Sequence, residues 1–275
     1  MKRWAAGGAL VAVLVGSPRL ANAQVRDLRW DPALDVSVTA GGAALWLASE
    51  ALKGDLAPSR CHWCSVDPAD AAVREALVWR DTGSANLLSD ATAFVLLPLA
   101  AVGLNALAAA HEGASGNIPE DALLVAEAGV VTADVNQLTK MLVGRERPFV
   151  HALPPEQKPS TGSPSDNNLS FFSGHSSETF ALAVASGTVA SMHGYQWAPV
   201  VWGVGGVLAA TTAYLRIAAD RHWLTDVLVG AVVGAGIGFT LPYVFHSAKD
   251  DSPTATTGAA LRAPALPLPL MTLAW

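Results

Sequence analysis

Charge is scarce in this chain. Asp, Glu, Lys and Arg together supply 15% of its 275 residues, against about a quarter in an ordinary soluble domain. Lys and Arg form no run, and the formal net charge is −6, so the composition argues against a nucleic-acid binder. Aromatic residues make up only 7%, and extended runs of Val, Ile, Thr and Tyr are missing, which argues against a strand-rich fold. The two cysteines are too few for a disulfide scaffold. They stand in Cys61-His62-Trp63-Cys64. A redox pair would need a strand–helix setting that is absent, and a zinc site would need two more ligands, with His62 the one nearby candidate. A local disulfide without a catalytic role is the expectation. No internal repeat is visible.

What remains is apolar. Hydrophobic residues reach 51% and the mean hydropathy is +0.34, which favours membrane association. Lys2 and Arg3, the apolar stretch Trp4 to Val15 and Ala21-Asn22-Ala23 read as an export signal whose removal leaves Gln24 first. Asp67-Pro68 reads as the start of a short helix, and Ser89-Asp90 as a cap before the uncharged run Ala91 to Ala110, the best candidate span. Pro119 opens a helix over roughly 119–142. Because that helix carries Glu127, Asp134, Asn136 and Gln137, it should face protein or water rather than lipid all round. Further helices are expected over 174–192, 198–215 and 227–245, while 36–52, with two adjacent glycines, is the weakest span. The fold class expected is all-α: a membrane-embedded helical bundle of about six long helices with the active site at one end. Its parts are a signal peptide (1–23), an N-terminal region with a marginal helix and the cysteine loop (24–84), the bundle (85–246) and an irregular tail (247–275).

Three clusters place charge or hydrogen-bonding groups inside apolar surroundings. Lys140 and Arg147-Pro148 lie at a helix end, Ser173-Gly174-His175 lie where a loop enters a helix, and Arg216, His222 and Asp226 lie between two apolar helices. Each alone reads as a solvated helix end, a turn or a surface pair. Together they describe an oxyanion site. Arg offers a planar fork to phosphate oxygens and Lys a point charge. A helix start at Ser173 and Gly174 offers free backbone N–H groups, and Gly174 permits close approach. His222 and Asp226 stand four apart and share a helix face, where a carboxylate can orient an imidazole. Arg145, Asp220 and Arg221 read as charges at the rim or one layer behind the site. His111, His151, His193 and His246 read as loop or helix-end residues without a catalytic role.

The order and spacing resemble the type 2 phosphatidic acid phosphatase and vanadium haloperoxidase superfamily over roughly residues 85–245. Lys140, Arg147 and Pro148 match its first motif in full. In the second, Ser173, Gly174 and His175 match, with Phe172 where the family has proline. In the third, Arg216, His222 and Asp226 match, with Leu215 in the serine position. The resemblance implies a phosphatase acting on phosphomonoesters or diphosphates, of lipids in first place. Lys140, Arg147, Ser173, Gly174 and Arg216 would bind phosphate. His222 would form a phosphohistidine with Asp226 orienting it. His175 would protonate the leaving alcohol and then activate water. It also implies no cofactor and no metal, because the cations neutralise the phosphoryl charge.

The partners expected are a phosphorylated lipid or small phosphoester and membrane lipid, with no nucleic acid. If the signal is cleaved and 36–52 does not span, all three clusters fall on the periplasmic face of an inner membrane; if 36–52 spans, they face the cytoplasm. The alternatives are a soluble periplasmic acid phosphatase of broad specificity and a haloperoxidase holding vanadate in the same cradle.

Overall fold

The structure is a computed structural model, and residues 25–249 are described. The signal peptide and all but the first three residues of the tail lie outside that range. Among the described residues there is no strand, only two isolated bridges, and six long helices carry the fold. They are α1 (Pro32–Ala51), α3 (Thr82–His111), α4 (Ile118–Val143), α5 (Gly174–His193), α6 (Ala198–Ala218) and α7 (Leu224–Phe245), with a short helix, α2 (Pro68–Leu77), between α1 and α3.

Local chemistry sets the ends. Asp31 caps α1 and Asp67 caps α2, each followed by a proline whose missing N–H costs nothing at that position. Gly144 closes α4 in the left-handed region at φ 56°, and Gly194 closes α5 at φ 79°. One expectation needs correcting. Ser89 and Asp90 do not cap a helix: α3 begins at Thr82, capped by Asp81, whose carboxylate accepts from the Ser84 N–H at 3.0 Å. Ser89 and Asp90 therefore lie inside α3, and a π-helical turn at Thr92–Leu96 precedes Pro98, which has no N–H to donate.

The interior is small and polar, and the exterior is large and apolar. Buried clusters consist largely of alanine with a few valines and leucines. Between them, Asn105 Nδ2 donates to Ser186 Oγ at 3.1 Å and Thr212 Oγ1 donates to Thr92 Oγ1 at 2.9 Å. Leu99, Val207 and Val232 point outward. Small residues and interhelical hydrogen bonds inside, with bulky side chains outside, are how helices associate in lipid. Three helices, α3, α6 and α7, are long and apolar enough to cross a membrane by length and composition. α1 is not among them.

α5 is the hub, packed against α3, α4, α6 and α7. Its contact with α7 is unusually close. A Cβ built at Gly230, Gly234 or Gly238 would meet the backbone of Ser173, Ser177 or Ala181. Glycine at every fourth position lets the two backbones touch along a stripe. Chain direction alternates through the bundle, so the end of α4, the start of α5, the end of α6 and the start of α7 gather at one end.

Candidate functional site

At that end lies a cavity of about 780 Å³. Lys140, Arg147, Gly174, His175, Arg216 and His222 all line it, so the three sequence clusters converge on one space. Ser173 and Asp226 are fully buried and do not reach the lining. Ser173 caps α5: its Oγ accepts from the Ser176 Oγ at 3.0 Å, and its N–H donates to the Asp226 carbonyl at 3.0 Å. Lys140 Nζ and Asn136 Oδ1 crowd Gly174, where a Cβ would stand 3.1 Å from Nζ and 2.9 Å from Oδ1. A side chain here would displace the lysine.

Arg147 is held from three sides. Its Nε donates to the Asp166 carbonyl at 2.8 Å, its Nη1 donates to the Arg221 carbonyl at 3.1 Å, and Nη1 lies 3.3 Å from His222 Nε2. Arg216 Nη1 donates to Ser89 Oγ at 2.8 Å and to Asn86 Oδ1 at 3.0 Å. Its buried Nε has no hydrogen-bond partner. A buried unpaired N–H beside clustered cations is a donor awaiting an anion.

The two imidazoles are anchored differently. His222 Nδ1 donates to the Ser170 carbonyl at 2.8 Å, which leaves Nε2 as the lone-pair nitrogen on the Arg147 side. Burial pushes the His222 pKa well below its usual 6.5, and Arg147, Arg216, Lys140 and His175 push the same way. His175 Nε2 pairs with Asp90 Oδ1 at 2.7 Å, and its ring meets Phe94 edge to face at 4.8 Å.

Asp226 does share the His222 face, but at 3.7 Å from Nδ1 it is not the direct acceptor. Its Oδ2 accepts from Ser170 Oγ at 2.6 Å and from the Trp223 N–H at 3.0 Å, while Oδ1 pairs with Arg145. It therefore positions the Ser170 segment whose carbonyl holds the ring. Of the two positions open to Arg145, the structure supports the one behind the site. Arg145 is 1% exposed, lies 4.0 Å over the Trp63 ring, and donates to Asp70 at 2.6 Å and Thr225 at 2.7 Å. A charge this deep needs opposite charge beside it, and Asp70 and Asp226 supply two carboxylates, while its Nε has no hydrogen-bond partner. Asp220 is buried too, in a two-bond pair with Arg74. Trp63 is delivered by the loop in which Cys61 and Cys64 form a disulfide, the local bond expected. At the positions that depart from the family motifs, Phe172 and Leu215 are both buried, and the Phe172 carbonyl accepts from Asn136 Nδ2 at 2.8 Å.

The cavity also has an apolar arm. Ala43, Trp46 and Leu47 of α1, Phe94 of α3 and Val130 of α4 line it. α1 closes on α4 at Gly42, where a Cβ would strike Val130.

The family model described as PAP2 superfamily matches residues 121–250. Among solved structures, the chain is similar to one described as the first transmembrane PAP2 type phosphatidylglycerolphosphate phosphatase from Bacillus subtilis. The two share 22% identity over 76% of this chain and 96% of that one, with a TM-score of 0.49. Among curated proteins, none matches.

Proposed function

We propose that the chain, whose residues 121–250 match the PAP2 superfamily model, is a phosphatase that cleaves phosphomonoesters or diphosphates of lipids through a phosphohistidine. The observation that carries this reading is the gathering of Lys140, Arg147, Arg216 and both imidazoles around one cavity. Phosphoryl transfer asks little of the protein beyond positioning and charge compensation, and three cations with a helix start provide both.

His222 Nε2 attacks phosphorus while Ser170 holds the Nδ1 proton. His175, anchored by Asp90, protonates the leaving alcohol and then takes a proton from the attacking water. The Asp90 carboxylate stabilises the imidazolium formed in that second step. Lys140, Arg147, Arg216, Gly174 and the Ser173-capped helix start bind the phosphoryl oxygens, and Asp226 acts through Ser170. The catalytic unit we propose spans 85–246, and the 24–84 region adds Trp46, Leu47, Glu50 and Lys53 to its cavity wall. We place the site on the periplasmic face of an inner membrane.

The apolar arm supports an amphiphilic substrate. Burying about four methylenes there at about 0.8 kcal/mol each favours a lipid phosphate by about 100-fold. Phosphatidic acid, undecaprenyl diphosphate and a water-soluble phosphomonoester assayed side by side test this. One of the lipids is expected to show kcat/KM about 100-fold above the soluble ester. Equal values would favour a broad-specificity acid phosphatase.

Attack needs the neutral ring of His222, and its depressed pKa keeps that form dominant below pH 6.5. On the His222 side, activity is lost as pH falls through the depressed value. The acid limb of kcat/KM against pH, corrected for substrate ionisation, is therefore expected below pH 6.5. A limb at or above it would count against His222 as nucleophile.

A further inference from the structure

A second polar cluster lies far from the phosphate cradle. It joins Asp35 in the first turn of α1, Glu127 of α4 and His246 just beyond α7, all three buried. Glu127 stands thirteen residues before Lys140 on α4, about 20 Å along the axis at 1.5 Å per residue. One donor atom from each of the three residues lies within 4.8 Å of the others.

The hydrogen bonds define what is missing. His246 Nδ1 faces the Arg29 carbonyl at 3.1 Å, so Nδ1 carries the proton and Nε2 presents its lone pair. Opposite Nε2, at 3.6 Å, stands Glu127 Oε2. That oxygen is buried, belongs to a residue 7% exposed, and has no hydrogen-bond partner. Two lone-pair atoms facing each other in a dry interior repel unless a positive charge lies between them.

A proton is a poor fit, because 3.6 Å is too long for a hydrogen bond. It would also leave two carboxylates against one imidazolium. A divalent cation fits both distance and charge. With metal–ligand bonds of about 2.0–2.2 Å, adjacent ligands of a tetrahedral ion stand about 3.3–3.6 Å apart. Asp35 Oδ2, which accepts the Asp31 N–H at 2.9 Å and stands 4.0 Å from His246 Nδ1, supplies the third ligand from within 4.8 Å. The Arg29 carbonyl on Nδ1 is the outer hydrogen bond that metal-bound histidines usually have.

We propose that Asp35, Glu127 and His246 bind a first-row divalent cation, with Zn²⁺ the best match to one imidazole and two carboxylates. The ion neutralises both carboxylates. It also clamps two chain ends, because the segment at Arg29 and the segment at Ser247 pair directly beside it, with the Arg29 N–H donating to the Ser247 carbonyl at 3.1 Å. The site is structural, independent of the hydrolytic reading and remote from its histidines.

The test uses tag-free full-length protein in detergent, stripped with chelator, loaded with Zn²⁺, desalted and analysed by mass spectrometry. Wild type and His222→Ala are expected to retain one zinc per chain. Glu127→Gln and His246→Gln are expected to retain less than a tenth of that. Zinc is also expected to raise the Tm of wild type and leave those two variants unmoved. X-ray absorption on zinc-loaded wild type needs no variant, and should show an oxygen and nitrogen shell with a single imidazole. Absence of zinc from wild type, loss of zinc in His222→Ala, or sulfur or two imidazoles in the shell would overturn the proposal.

Discussion

His222→Ala is expected to lower kcat for phosphoester hydrolysis by at least about 10⁴-fold. The ring is 3% exposed and meets only a carbonyl and an arginine through its nitrogens, so its removal takes away the attacking atom and leaves Lys140, Arg147 and Arg216 in place. Substrate should still bind, and the loss should fall on kcat rather than KM. Rapid acid–base quenching gives the sharper readout. Wild type turning over labelled substrate should carry an acid-labile, base-stable phosphoryl group, and His222→Ala should carry none. His175→Ala should still become labelled from a substrate whose leaving group needs no proton, such as nitrophenyl phosphate. If His222→Ala keeps a tenth of wild-type turnover, or if labelling depends on His175 alone, the assignment of roles fails.

Gly234→Ala is expected to cost about 3 kcal/mol or more, a fall in Tm of about 6–12 °C for a chain of this size. The added Cβ falls on the backbone of Ser177, which cannot swing aside as a side chain can. α7 must then move off α5. Because Asp226 begins α7 and Ser173 caps α5, the movement also separates two of the motifs. Activity should fall together with stability. Gly236→Ala is the matched control, two residues along the same helix. A Cβ there meets nothing within 4 Å, so the change should be neutral or slightly stabilising, since alanine favours helix. Equal Tm values for the two variants would remove the close-packed α5–α7 seam from the account.

The helices were legible because uncharged runs and prolines mark them. The expected 119–142, 174–192 and 198–215 fall inside α4, α5 and α6 with ends differing by a few residues. α3 was misread at its start because Asp81-Thr82-Gly83-Ser84 looks like a turn, and an Asp cap looks the same in both settings. Glu50, Lys53, Asp166 and Glu178 reach the cavity with no mark in the sequence, whereas Lys140, Arg147, His175, Arg216 and His222 could be found from spacing, since each stands out against apolar neighbours. Their supports could not. The Ser170 carbonyl that holds His222 is backbone, which no residue type announces. Asp90 was visible, but only as a helix cap, and its pairing with His175 spans 85 positions. Whether Arg145 stands at the rim or behind the site could not be read, because its partners Trp63 and Asp70 come from a loop and a short helix with no apparent tie to the motif. Burial of a charge depends on distant partners, and one sequence carries no trace of them.

The stretch from Phe149 to Leu169 has little regular structure, yet Ser163 and Asp166 bring it to the rim of the cavity. Two of its ties to Arg147 are backbone carbonyls, that of Asp166 to Nε and that of Asn167 to the Arg147 N–H, which any residue at those positions supplies; the Asp166 carboxylate adds its charge beside Arg147 and Lys140. Exchanging the other side chains of this stretch, Ser163 among them, is therefore expected to alter which phosphoester is preferred while Arg147 keeps its backbone ties.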